Sequence, residues 1–307
     1  MSNKIIVGFK GIESSSGAVQ WAANEARARH AELHIVSCYE YPSIAAGVGY
    51  GVDYGAGATY DVIRSTAAAN AAEIRASIDA SHPDVMVSVD VVPGPATMVL
   101  LDGLDDDDVV VVGASSHDGA AAFWLGTTPR HLVHNSPCPV AVIRGSVGGG
   151  APDRVIVGVD GSRASGKALR WAGDEADRHG AELVVVHAWD YPYDPTDTAS
   201  VQGRDLTEID AACTLDRAVE TARERFAAVV TPTLVEGGPV MALLETARDG
   251  DILVLGSRGR GALRSRIFGS TANSILDAAA VPVVIVRTDP DDDHSTNLDA
   301  EHALATA

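Results

Sequence analysis

The chain consists of two related halves. Matching landmarks lie 150 positions apart early in the halves (171 minus 21) and 143 positions apart later (256 minus 113). They are Trp21 with Trp171, Ala31 with Ala181, Gly113 with Gly256, and Pro139 with Pro282. The first half therefore carries about seven extra residues, between Pro42 and Pro95. Such a repeat indicates one structural unit present twice, so the fold must be two copies of a single domain.

The repeat also sets the expected domain boundaries. A chain of 307 residues has the length of two ordinary domains, and the glycine run 148–150 separates the halves. We predict a first domain at 1–146, a second domain at 152–288 and an acidic, disordered tail at 289–307. The extra residues fit best in the Gly/Ala-rich stretch 43–58, which we interpret as a surface loop, with a lid as the alternative.

Short apolar runs alternate with helical patterns in both halves. Unbroken runs such as Val109–Val112 and Ile252–Leu255 suit strands that are buried on both faces, as in a parallel sheet. Apolar residues at three- and four-residue steps predict helices at Ala18–His30, Tyr60–Ser81, Thr127–His134, Ser165–His179, Thr207–Ala227 and Ser270–Ala279. The fold class is therefore α/β: two tandem doubly wound domains, each a five-stranded parallel sheet with helices on both faces.

Composition excludes several classes of function. The net charge of −19 argues against a nucleic-acid partner, because no overall positive field attracts phosphates. The acidic run 105–108 is expected to be solvated. No stretch is apolar enough to span a membrane, and the first residues lead into a strand rather than a signal peptide. Isolated cysteines indicate neither disulfides nor zinc. We expect a cytoplasmic protein.

A glycine-rich loop follows the fourth predicted strand of the second half. Gly256 and Gly259 are followed, after nine residues, by Gly269, with Ser270 and Thr271 at the start of a helix. Glycines let backbone N–H groups approach a ligand closely. The free N–H groups and dipole at a helix N-terminus favour an anion, and a hydroxyl adds a donor. The spacing therefore predicts a phosphate-binding loop.

The charges around this loop support a phosphate site. Four arginines lie in or beside it, against the acidic character of the whole chain: Arg258, Arg260, Arg264 and Arg266. The first strand of this half ends at Asp160, and strand ends flank the ligand crevice of a doubly wound sheet. Beside a phosphate, that carboxylate would lie near ribose hydroxyls or a bound Mg²⁺, because it would otherwise repel the ligand.

These residues resemble the universal stress protein family in its tandem-domain form. The resemblance spans residues 4–287 and is carried by Asp160, Gly238-Pro239, the glycine loop and Val281–Val284. It implies a Rossmann-like fold of the adenine nucleotide alpha hydrolase type and a regulator that binds ATP, with or without Mg²⁺, in stress adaptation or dormancy. No catalytic residue is implied. The expected nucleotide contacts are Asp160, Gly161, Ser162, His187, Ala188, Gly256, Ser257, Arg258, Gly259, Gly269, Ser270 and Thr271.

The resemblance also bears on partners. In similar proteins the last strand mediates dimerisation, so we expect an internal pseudo-dimer formed through Val140–Ile143 and Val283–Val286. Whether two chains form a homodimer, and which regulatory protein is the partner, stay open.

The first half departs from this pattern. Lys10 stands where Asp160 stands, Ser116 replaces Gly259, and the loop 114–125 contains no arginine. We therefore expect weak or absent nucleotide binding there, through Lys10, Gly113, Ser116, Gly126 and Thr127, and one strong site per chain.

The sequence leaves two enzymatic alternatives to consider. The stretch from Gly161 to Lys167 has Walker A spacing, but Ala168 stands where Mg²⁺ requires a hydroxyl, so we interpret the match as chance. No recognisable motif places a general base beside the loop. A nucleotide-binding regulator is favoured over the alternative, a slow ATP hydrolase or another enzyme on the same fold.

Overall fold

The computed structural model describes residues 4–40, 56–114, 125–144, 150–191, 198–259 and 269–287. The chain divides into two compact units, with the main boundary between Ala151 and Pro152. Each unit is considered by itself below. Within the described residues, no helix has both the length and the hydropathy needed to cross a bilayer.

The first unit contains five strands and four helices among its described residues. In chain order they are β1 (Lys4–Phe9), α1 (Ile12–Arg29), β2 (Glu32–Tyr39), α2 (Ala56–Ser81), β3 (Val87–Pro93), α3 (Ala96–Val99), β4 (Val109–Gly113), α4 (Thr127–Asn135) and β5 (Val140–Ile143).

The second unit repeats the same order. Its elements are β6 (Arg154–Gly158), α5 (Arg163–His179), β7 (Glu182–Trp189), α6 (Thr198–Arg225), β8 (Val230–Glu236), α7 (Pro239–Thr246), β9 (Ile252–Gly256), α8 (Ser270–Ala278) and β10 (Val283–Val286).

Each unit forms a parallel sheet, in the order β3-β2-β1-β4-β5 in the first and β10-β9-β6-β7-β8 in the second. The registers agree between units: Lys4 pairs with Glu32 as Arg154 pairs with Glu182. The central strands are almost fully buried, as their apolar runs predicted. The predicted fold class, two tandem doubly wound domains, is confirmed.

Four helices, α1, α2, α5 and α6, begin earlier than predicted, and the differences are largest for α1 and α6. α1 starts at Ile12 rather than Ala18, and α6 starts at Thr198 rather than Thr207. The first turns of α1 contain three serines, 14–16, which carry no apolar periodicity and were therefore invisible to a hydrophobic pattern. Serine instead stabilises this end of the helix, since Ser15 Oγ accepts a hydrogen bond from Lys10 N at 3.0 Å.

The extra residues of the first half lie between β2 and α2. Sixteen residues, 40–55, separate these elements, whereas eight, 190–197, separate β7 from α6. Most of the predicted loop 43–58 lies outside the described residues. Its last part, 56–58, was wrongly assigned to the loop, because α2 already begins at Ala56.

The prediction that the acidic run 105–108 is solvated was wrong at one residue. Asp108 is only 3% exposed, and its carboxylate accepts hydrogen bonds from Lys4 N and Asp105 N, both at 2.9 Å. The other three members of the run 105–108 are exposed, as expected. One carboxylate of this acidic run is therefore structural, because it binds the start of β1.

Candidate functional site

A cavity of about 640 Å³ opens at the carboxyl edge of the second unit's sheet. It lies between the ends of β6 and β9, where the strand order reverses, which is the usual ligand site of a doubly wound sheet. Apolar lining comes from Val159, Val186, Ala188, Pro239, Leu243 and Leu255. Polar and glycine lining comes from Asp160, Arg258, Gly259, Gly269, Ser270 and Thr271. The cavity therefore combines an apolar wall with polar groups and glycines.

Glycines at the ends of β6 and β9 let their neighbours pack closely. A Cβ atom at Gly158 would lie 2.8 Å from Leu255 Cδ2, and one at Gly256 would lie 2.7 Å from the carbonyl carbon of Ala164. Both distances are shorter than any normal carbon contact. Side chains at these positions would push the cavity walls apart, so the glycines fix its shape.

Asp160 is held by the turn that leads into α5. Its Oδ1 accepts a hydrogen bond from Ser162 N at 3.0 Å, and its own N donates to Ser165 Oγ at 3.3 Å. Gly161 has φ 75°, the left-handed conformation that glycine tolerates best. Ser162 caps α5 by accepting from Ser165 N at 3.2 Å. Gly161 and Ser162 thus orient Asp160 and are not among the residues that line the cavity.

The N-terminus of α8 opens into the cavity. The helix starts at Ser270 and has Gly269 as its N-cap, with no capping side chain among the described residues. Gly269 N donates to Ser257 O at 3.0 Å, and Asn273 N donates to Gly269 O at 3.1 Å. Backbone N–H groups of the intervening first turn have no carbonyl four residues back to bond. Such groups at a helix N-terminus can bind an anion.

Ser257 and His187 lie near the cavity without lining it. Ser257 is 4% exposed and links the loop to β10, since its N donates to Val286 O at 2.9 Å. His187 is 9% exposed, and its Nδ1 lies 2.6 Å from Val159 O. Successive side chains of a strand point to opposite faces, so Val186 and Ala188 line the cavity while His187 supports β6.

Most of the predicted second-half contacts are brought together. Eight of the expected residues line the cavity: Asp160, Ala188, Gly256, Arg258, Gly259, Gly269, Ser270 and Thr271. Of the predicted arginines, Arg260, Arg264 and Arg266 lie outside the described residues.

Sequence reasoning missed several lining residues, among them Leu243 and Asn273. Leu243 belongs to α7, whose proline start at Pro239 could have signalled it. Asn273 has a buried Oδ1 with no hydrogen-bond partner among the described residues, and no sequence signal marks it.

The first unit has glycines at the equivalent strand and helix ends but a different charged side chain after its first strand. Gly113 ends β4, and a Cβ atom there would lie 3.1 Å from Ser14 O. Gly126 is the N-cap of α4, which begins at Thr127. Lys10 follows β1 and is exposed. Ser116 lies outside the described residues.

The Walker-type match is structurally unlike a phosphate loop. Gly166 and Lys167 lie inside α5, which already begins at Arg163. A Walker A loop must wrap around the phosphates before its helix starts. This agrees with the interpretation of the match as chance.

Comparison with known proteins matches the model described as "Universal stress protein family" to residues 1–144 and 152–287. A universal stress protein of Mycobacterium tuberculosis is 31% identical over 298 residues, covering 92% of this chain and 96% of the relative. A second from that organism is 30% identical over 307 residues, with 94% and 96% covered. The crystal structure of a universal stress protein from Archaeoglobus fulgidus has a TM-score of 0.64 at 20% identity, covering 95% of this chain and 98% of that one.

Proposed function

The chain belongs to the universal stress protein family, and on that basis we propose that it is a regulator that binds ATP in the second-unit cavity. The observation that carries the proposal is the joint presence, in one cavity, of the α8 N-terminus, the glycine loop and Arg258 beside an apolar wall. This combination suits a ligand with a phosphate group at one side and an apolar ring at the other.

The strength of such a site can be estimated. Two or three charge-assisted hydrogen bonds, from backbone N–H groups and Arg258, contribute roughly 1.5–3 kcal/mol each. The helix terminus adds about 0.3–1 kcal/mol. Micromolar binding requires about 8 kcal/mol. Phosphate contacts therefore supply much of the free energy, and burial of a nucleobase against Val159, Val186 and Leu243 would supply the rest.

Asp160 has a role in the proposal that fits its position. Among the described residues that line the cavity, it is the only carboxylate. It would accept hydrogen bonds from ribose hydroxyls, or bind Mg²⁺, which prefers oxygen ligands and would offset the charge of the phosphates. Its carboxylate is oriented by the hydrogen bond that Oδ1 accepts from Ser162 N, which suits either role.

The proposal assigns one strong site to each chain. The first unit has Lys10 in place of Asp160 and Ser116 in place of Gly259. Regulation is favoured over catalysis because no histidine or second carboxylate among the described residues lines the cavity as a general base. The proposed role is in stress adaptation or dormancy, with at most slow ATP hydrolysis.

Calorimetric titration with ATP and Mg²⁺ tests the proposal. We expect one binding event per chain with micromolar affinity, abolished by Gly259→Val. Two equal sites would contradict the assignment to the second unit, and no heat at saturating ATP would contradict nucleotide binding altogether. Several turnovers per minute, lost in Asp160→Ala, would instead support an ATP hydrolase.

A further inference from the structure

Two buried side-chain oxygens near the start of α8 have no hydrogen-bond partner among the described residues. They are Asn273 Oδ1 and Ser257 Oγ. Both residues are joined to the N-cap of α8, since Gly269 N donates to Ser257 O at 3.0 Å and Asn273 N donates to Gly269 O at 3.1 Å. Buried polar atoms are rarely left without a partner in native proteins. These two atoms therefore point to a hydrogen-bonding ligand at this end of the cavity.

The side chain of Asn273 lies on the cavity side of α8. Asn273 lines the cavity, whereas the next residue, Ser274, is exposed and does not line it. Helix side chains tilt toward the N-terminus of their helix, so a residue of the second turn lies over the first turn. The Asn273 amide is therefore placed beside the backbone N–H groups at which an anion would bind. An amide has both donors and an acceptor, so it can bond an anion and a hydroxyl at once.

Ala272 adds a backbone donor to the same end of the cavity. Ala272 lines the cavity and is 3% exposed. Because Gly269 N and Asn273 N are already bonded, the N–H groups between them are those of Ser270, Thr271 and Ala272, and none has an acceptor among the described residues. The N–H groups of a first helical turn can converge on one phosphate. Ala272 N–H is the third of these donors.

The first unit differs at all three positions. Equivalent residues here lie 143 positions apart (270 minus 127), since α4 begins at Thr127 and α8 at Ser270. The first unit has Ala114 for Ser257, Pro129 for Ala272 and Arg130 for Asn273. Alanine has no hydroxyl, and proline has no N–H group. Both helices have nine residues, and Pro129 is buried as Ala272 is. Proline is thus compatible with a helix at this position, and what it removes is the donor.

We propose that the Ala272 N–H group and the Asn273 amide bind a phosphate group of the ligand, and that Ser257 positions Asn273. This inference rests on the proposed nucleotide site and adds to it two phosphate-binding groups outside the glycine loop. The amide nitrogen of Asn273 donates to a phosphate oxygen, and its carbonyl oxygen accepts from the Ser257 hydroxyl, directly or through a water. The first unit has lost both donors, so these positions contribute to the difference between the units.

Two substitutions at residue 272 isolate the backbone donor. Ala272→Pro removes the N–H group, whereas Ala272→Val keeps it and adds a side chain of similar size. Equilibrium dialysis compares ATP with adenosine, which has the ring and the ribose but no phosphate. We expect Ala272→Pro to weaken ATP binding about tenfold or more, because one hydrogen bond to a charged group is lost, and to leave adenosine binding unchanged. Ala272→Val should keep the wild-type ratio of the two affinities.

Asn273→Asp tests the side chain with an isosteric change. A carboxylate cannot donate and repels a phosphate, so ATP binding should weaken about tenfold or more, while adenosine binding stays unchanged. The loss should shrink at high salt, because screening weakens the repulsion. Ser274→Asp is the matched control, since it adds the same charge one residue further on, outside the cavity lining, and its effect should be much smaller. Equal or tighter ATP binding by Asn273→Asp would overturn the role of the amide as a phosphate donor.

The outcomes separate this inference from the proposed function. If the wild type binds ATP and both Ala272→Pro and Asn273→Asp bind it equally well, the inference is wrong and the nucleotide site stands. Equal losses of ATP and adenosine binding in a variant would contradict a phosphate contact at that residue. Absence of ATP binding in the wild type would refute the nucleotide site and this inference together. If thermal unfolding shows that Ala272→Pro does not fold, Asn273→Asp decides.

Discussion

The carboxylate of Asp160 lies against Gly259, where a Cβ atom would come within 2.6 Å of Oδ2. The first half replaces both partners, with Lys10 for the carboxylate and Ser116 for the glycine. In the second unit a side chain at position 259 would therefore compete with this carboxylate for space. We expect this steric contact to link the two changes.

We expect Gly259→Ala to lower affinity for ATP about tenfold or more, equivalent to about 1.4 kcal/mol, by displacing Asp160 and the loop. In an Asp160→Ala background the same change should have little further effect, because the clashing oxygen is gone. Calorimetry on the four variants of this cycle measures the coupling. Gly166→Ala is the control, since its Cβ would be 3.9 Å from the nearest atom. Additive effects would refute the steric link.

Asp251 should be important for the stability of the second unit. It is 2% exposed, and its carboxylate accepts hydrogen bonds from Arg154 Nε at 3.1 Å and from Arg248 N at 2.8 Å. The hydrogen bond to Asp251 raises the pKa of Arg154. We expect Asp251→Ala to destabilise the unit by about 1–3 kcal/mol, since it removes the buried acceptor of hydrogen bonds from Arg154 and Arg248 N. Urea unfolding measures the loss. Asp108→Ala is the matched comparison, because the partners of Asp108 are backbone amides, and its effect should be smaller.

Gly173 and Phe226 form a size-matched pair. A Cβ atom at Gly173 would lie 2.2 Å from the Phe226 ring. In the first unit, Ala23 stands at the position of Gly173 and His82 at the position of Phe226. The backbone shows the equivalence, because His82 N donates to Ile78 O as Phe226 N donates to Ala222 O. We expect Gly173→Ala to destabilise the second unit by about 1–3 kcal/mol through overpacking. Adding Phe226→His should recover part of the loss in the same unfolding assay. Equal stability of wild type and Gly173→Ala would contradict the contact.

His30 ends α1 in the left-handed conformation, with φ 53°, where Gly180 ends α5 with φ 66°. Glycine adopts this conformation without the strain of a side chain. We expect His30→Gly to stabilise the first unit by roughly 0.5–1 kcal/mol, measured by thermal unfolding. Ala28→Gly, inside the same helix, should destabilise it by a similar amount. Destabilisation by His30→Gly would show that the imidazole contributes more than the strain costs.

His82 should make the first unit sensitive to mild acid. Its Nε2 lies 2.9 Å from Asn24 Oδ1, and burial, with Arg27 nearby, lowers its pKa from 6.5, while Asp84 acts in the opposite direction. The folded state favours the neutral ring, so the unfolded state takes up more protons as the pH falls through 6.5, and stability is lost below that pH. Unfolding midpoints of wild type and His82→Gln, compared from pH 7.5 to 5.5, isolate the effect. A parallel pH dependence in both would refute it.

Much of the fold and part of the site could be predicted from residues alone. Gly256, Gly259 and Gly269 identified the loop because their spacing follows from backbone requirements that act locally. His187 could not be distinguished from Ala188 in the same way. Which of two neighbours faces a cavity depends on the pleat of β7 against β6, where His187 lies 2.6 Å from Val159 O.

The sequence by itself determined the duplication, the parallel sheets and the position of the glycine-rich loop, because periodicity, apolar runs and glycine positions reflect constraints within short segments. Tertiary structure alone decided which residues line the cavity, that Asp108 is buried, and that Asp160 touches Gly259. These are contacts between residues far apart in the chain, such as 160 and 259. They depend on how strands and helices pack, and no local pattern encodes that distance.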